Sequence, residues 1–108
     1  MEPQVGQVVT VFRSRLRPGA EQAYSADATA ISALARSMPG YVEHQVFTAD
    51  DGERVTVVTF SDADSHRAWR QHPEHRAAQA RGIASYYSQY SIQVGTTSYA
   101  SALPAAHA

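Results

Sequence analysis

An α+β domain with four strands and two helical regions in the order βαββαβ is predicted from three observations. Four runs rich in β-branched and aromatic residues read as strands, and two stretches with apolar residues three and four positions apart read as helices. Turn-forming Pro-Gly and Asp-Gly pairs separate several of them. At 108 residues the chain suits one core.

The first strand is expected within Val5 to Leu16, around the run VVTVF, and meets Pro18-Gly19. From Ala20 to Met38, the positions Tyr24, Ala28, Ile31, Leu34, Ala35 and Met38 mark one face of a helix, which Pro39-Gly40 ends. Tyr41 to Thr48 and Arg54 to Phe60 flank a loop containing Asp51-Gly52 and form an antiparallel hairpin. Ser61-Asp62 can cap a helix carrying His66 and Trp69, and Pro73 restarts a helix that runs through Gln79 and Arg81. The second helical region is therefore broken. Tyr86 to Tyr99 alternates loosely and supplies the last strand. The expected domain is 1–99, and the Ala-rich tail 100–108 is expected to be poorly ordered.

Two such halves make a ferredoxin-like split sandwich, with a four-stranded antiparallel sheet and both helical regions on one face. The pairs Val8-Val9, Val11-Phe12 and Val57-Val58 place apolar side chains on both faces of their strands. Burial of the second face predicts a homodimer joined sheet to sheet.

Hydrophobic residues make up 44% of the chain and charged residues 18%, as in a folded domain. The nine basic residues are all Arg and face ten acidic ones, so a net charge of −1 offers no broad attraction to nucleic acid or an anionic membrane. The absence of cysteine excludes disulfides, thiol nucleophiles and thiolate metal sites. MEPQVGQ has no basic region leading into an apolar stretch, and no run approaches the ~20 apolar residues of a membrane span, so the expectation is a cytoplasmic protein. Gly40, Gly52 and Gly82 are isolated, so no Gly-rich phosphate or flavin loop is present.

The segments MPGYVEHQVFTADDGERVTVVTF, SHRAWRQHPEHRAAQ and YYSQYSIQV resemble the antibiotic biosynthesis monooxygenase family, of the dimeric α+β barrel superfamily. The resemblance implies a dimer with one pocket per subunit between sheet and helices. It also implies oxidation of aromatic, polyketide-like molecules with O2 and no metal, flavin or haem cofactor. The haem-degrading branch is similar only at Trp69, because its Asn position falls on Phe12 and its His ligand on Gln79. Against the quinone-forming enzymes, the nearest matches are His66, Phe60 and Arg81, with Phe60 standing where those enzymes often have Trp.

Oxidising a phenol without a cofactor requires a base, a dry aromatic pocket and a donor or cation for the peroxide. His66 is the favoured base, three residues before Trp69 on a similar helix face. His44 competes, because Val42 and Val46 share its strand parity and suggest an inward face. Arg81 is the expected oxyanion partner. Phe12, Phe60, Trp69, Tyr86 and Tyr90, with Tyr87 beside them, are the expected substrate-binding set. For each of these residues plain packing or a solvated surface position is the alternative. His72 and His75 around Pro73 are read as a surface turn and not as a metal site, since no third ligand is assured.

The leading expectation is thus a cofactor-independent monooxygenase converting a phenolic or anthrone-type ring to a quinone. The alternatives are a non-oxidative cyclase or isomerase on the same scaffold, and a non-enzymatic small-molecule-binding dimer.

Overall fold

The computed structural model describes residues 2–103; of the tail expected to lack order, residues 104–108 lie outside this range, and 100–103 have no regular secondary structure. The strands are β1 (Val8–Leu16), β2 (Tyr41–Thr48), β3 (Arg54–Phe60) and β4 (Tyr87–Thr96). The helices are α1 (Glu21–Ser37), α2 (Ala63–Gln71) and α3 (Pro73–Arg81), and a π-helical turn, Gly82–Tyr86, links α3 to β4. The sheet is antiparallel in the order β2-β3-β1-β4, the ferredoxin-like arrangement predicted from the element order.

Local chemistry accounts for the boundaries. The Asp62 carboxylate accepts from the Ser65 backbone N–H at 2.8 Å and caps α2. One turn after Trp69 the helix stops at His72, whose Nδ1 accepts from the Glu74 N–H while Pro73 opens α3. Gly40 has φ +79°, and a Cβ there would collide with the Ser65 side chain, so glycine lets the start of β2 lie against α2. The first and last strands are shorter than the sequence suggests. β1 begins at Val8, not Val5, because Gly6 turns the chain at φ +94°. Val8 pairs with Thr96, so β4 ends where its partner ends and does not reach Tyr99.

The register divides the sheet into two faces. Val8, Thr10 and Phe12 of β1 lie level with Phe60, Val58 and Thr56 of β3, and this set faces the helices. Phe60 is wholly buried there, among Ala35, Trp69, Ile31 and Leu34. The opposite face carries Val9, Val11, Val55 and Val57, with Val11 directly across from Val57 and Phe47 across from Val55. Phe47 is 55% exposed. The apolar pairs thus do serve both faces, and in a single chain one face stays in water. No helix of the described residues is long and apolar enough to cross a membrane.

Candidate active site

Between the helix-facing side of the sheet and the helices lies a cavity of about 400 Å³, within the roughly 300–1,000 Å³ typical of small-molecule pockets. Its sheet wall includes Thr10, Phe12, Val58 and Ile92, and its helical wall includes Tyr24, Ile31, Trp69 and His75. The polar groups form two sets. Imidazoles gather near Thr10, and phenols gather around Phe12 and Tyr90, which faces Ser14 across the β1–β4 ladder. Those positions stand two to four residues further along β1, roughly 7 to 13 Å at ~3.3 Å per residue.

His66 projects from α2 with Nε2 3.2 Å from the Thr10 hydroxyl, and Nδ1 has no partner among the described residues. Burial, and secondarily the Arg70 guanidinium, lowers its pKa, which favours the neutral ring at neutral pH. His44 also lines the cavity, but both its nitrogens are engaged: Nδ1 with the Tyr41 hydroxyl at 2.7 Å and Nε2 with Ser32 Oγ at 3.2 Å. Burial likewise lowers its pKa. Its inward direction is as predicted, and its hydrogen bonding matches the structural alternative better than a free base.

The second set is tied to α1. The Tyr86 hydroxyl donates to Asp27 Oδ2 at 2.7 Å, and Arg81 donates to both Asp27 oxygens at 2.7 and 3.1 Å. The Arg81 and Tyr86 hydrogen bonds hold the Asp27 carboxyl below its ordinary range, and the Asp27 bond raises the Tyr86 phenol. Burial pushes Tyr87 up to about 12. Tyr87 meets Phe12 edge-on at 5.3 Å between ring centres, and Tyr90 lies 6.0 Å from both rings.

Two expected site residues do not line the cavity. Phe60 is fully buried behind it, where it stacks on Trp69 at 6.1 Å and fixes that indole as the wall. Arg81 spends its fork on Asp27 and is half exposed outside the lining, so the cation expected at an oxyanion instead neutralises a carboxylate. Arg70 is the arginine that does line the cavity.

A third difference concerns His75, read from sequence as part of a surface turn. The break at Pro73 folds α3 back so that the His75 ring lies flat on Trp69, with centroids 3.9 Å apart and planes 14° apart. Its Nδ1 lies 3.1 Å from the Trp69 carbonyl oxygen. No helical spacing brings positions 69 and 75 together; the only signal was Pro73 between them. Asp27 had a clearer one, a carboxylate on the same apolar α1 face as Tyr24 and Ile31. Among the described residues no group of three or more His, Asp or Glu is arranged to hold a metal ion.

A model of the antibiotic biosynthesis monooxygenase family matches residues 7–81. The uncharacterized protein YqjZ of Bacillus subtilis (strain 168) is 29% identical over 84 residues, 78% of this chain and 74% of that protein. Among solved structures, SnoaB, described as a cofactor-independent oxygenase from Streptomyces nogalater, superposes with a TM-score of 0.73 at 20% identity, covering 87% of this chain and 95% of its own. Rv0793 from Mycobacterium tuberculosis superposes with a TM-score of 0.76 at 19% identity, covering 85% and 95%. At such identities these two structures share the fold.

Proposed function

This chain belongs to the antibiotic biosynthesis monooxygenase family, and on that premise we propose that it oxidises a phenolic or anthrone-type aromatic to a quinone with O2, without a cofactor. The observation that carries the reading is an apolar, aromatic-walled cavity holding an imidazole, His66, whose neutral form burial favours. SnoaB supports the reading as a neighbour of the same fold described as a cofactor-independent oxygenase.

A phenol in the cavity gives its proton to His66, and the resulting anion is electron-rich enough to pass an electron to O2. Triplet O2 cannot combine with a closed-shell anion in one spin-allowed step, so carbon–oxygen bond formation follows that transfer. Phe12 offers a ring face for a fused aromatic, and Trp69, covered by His75 and backed by Phe60, gives the cavity a rigid wall. The Tyr86 oxygen accepts from a substrate hydroxyl, since its own proton is donated to Asp27. Arg81 acts as a positioning residue through Asp27. A second copy covers Val9, Val11, Val55, Val57 and Phe47, giving a homodimer.

The test is oxygen uptake by chelator-treated protein with a panel of anthrones and hydroxynaphthalenes, comparing wild type with His66→Ala and Trp69→Ala. Uptake coupled to quinone formation and reduced by both changes is expected. Saturable binding with no uptake above the uncatalysed rate sinks the oxidative reading, and turnover of the panel without O2 identifies a proton-transfer enzyme instead.

A further inference from the structure

We propose that His75 is a second proton-transfer residue of the cavity, its ring fixed by Trp69 so that Nε2 carries the lone pair offered to a bound aromatic. The inference rests on the oxidative reading for its chemistry, but the placement of His75 stands on geometry alone. A carbonyl oxygen can only accept, so the 3.1 Å contact with Trp69 makes Nδ1 the N–H of the neutral ring. Nε2 is then the acceptor. It has no partner among the described residues, and its ring lines the cavity. The same two neighbours stabilise the ring once it is protonated: the carbonyl bond becomes charge-assisted, and the indole face 3.9 Å away attracts an imidazolium.

Two proton acceptors fit the chemistry, because forming a quinone from an anthrol moves protons at two positions. His66 takes the O–H proton, and after O2 adds at the ring carbon it returns that proton to the terminal peroxide oxygen. The ring carbon then carries one hydrogen and one hydroperoxide group. His75 Nε2 takes the C–H proton, the C–H electron pair becomes the new carbonyl π bond, and the O–O bond breaks. The departing hydroxide takes the proton from His75 and leaves as water. The sum is anthrol plus O2 giving quinone plus water, with both imidazoles returned to their starting state.

The groups acting on His75 are few. His66 on α2 and His72 at the cap both oppose its protonation, after the larger effect of burial. Across the cavity, Asp27 on α1 is neutralised by Arg81, His44 on β2 is held by hydroxyls, and Arg70 lies on α2.

Two measurements test the proposal. Trp69 is the only tryptophan, and a stacked imidazolium quenches indole emission. Selectively excited fluorescence should therefore fall on acidification through a midpoint below the ordinary imidazole value of ~6.5. The transition should persist in His66→Gln and vanish in His75→Gln and in His75→Phe, which keeps a ring on Trp69 without a lone pair. A transition unchanged in both His75 variants overturns the placement. With a panel substrate, both variants should still consume O2 but accumulate hydroperoxide, its conversion to quinone slowed roughly 10²- to 10⁴-fold, whereas His66→Gln should lose uptake itself. Wild-type quinone yield per O2 in His75→Phe overturns the proton-transfer role. Absence of O2 uptake in wild type overturns the oxidative reading, and the fluorescence titration still decides the state of His75.

Discussion

The Tyr86 hydroxyl donates to Asp27 at 2.7 Å while Arg81 grips the same carboxylate from outside the cavity. A tyrosine at a pocket wall would ordinarily offer a ligand both a proton and a lone pair. Here the proton is committed within the protein, so Tyr86 selects for ligands that donate. Tyr86→Phe should weaken binding of a hydroxylated ligand by roughly 0.5–1.5 kcal/mol, the net worth of one hydrogen bond. Binding of the methyl ether of the same ligand should not change. Calorimetric titration of the two ligands against both proteins reads this difference, and equal losses for both ligands would argue against it.

Asp27 should also make stability acid-sensitive. Its folded pKa lies below the ordinary ~3.9 of an unfolded Asp. A depressed carboxyl contributes stability that is present above the unfolded value and is lost as pH falls through the folded one. The gap in urea midpoint between wild type and Asp27→Asn should therefore be largest near neutrality and close below about pH 4.

The histidines add a second, higher window. Burial lowers the folded pKa of His44, His66 and His75. Each then contributes stability present above the unfolded value of ~6.5 and lost as pH falls toward the folded value. Wild type should lose stability as pH falls below about 6.5. His75→Phe should lose less over the same interval. Thermal melts at matched ionic strength separate the two variants.

Phe60 is a packing residue and should behave as one. It has no exposed surface and supports Trp69 from behind. Phe60→Ala should cost about 3–5 kcal/mol of stability. Phe60→Leu, which fills more of the space, should cost less and shift Trp69 emission through its altered neighbour. A near-neutral Phe60→Ala would mean that the cluster of Phe60, Trp69 and Ala35 is not the core.

Phe47 tests the dimer. It stands exposed beside Val55 on the face turned away from the helices. Phe47→Glu should convert a dimer to a monomer in sedimentation velocity at micromolar concentration while leaving the far-ultraviolet circular dichroism unchanged, because the residue supports no intrachain core. A dimer of undiminished affinity would place the interface elsewhere.

The strands, the hairpin and the broken helix were legible in the sequence because each depends on neighbours close along the chain. Val8 to Phe12 is rich in residues branched at Cβ, Gly52 turns the hairpin at φ +91°, Asp62 caps α2, and Pro73 stops one helix and starts another. The inward face of His44 and the pocket positions of His66 and Trp69 followed from the same periodicities. Other features depended on groups distant in sequence. Arg81 and Tyr86 meet Asp27 across 54 and 59 residues, and no local pattern distinguishes that arginine from a solvated one. Phe60 left the pocket because the packing of α1 and α2 closed over it. The tertiary break at Pro73 likewise brought His75 onto Trp69. Periodicity sets the direction of a side chain from its own backbone, whereas its hydrogen-bond partners and burial depend on where the other elements pack.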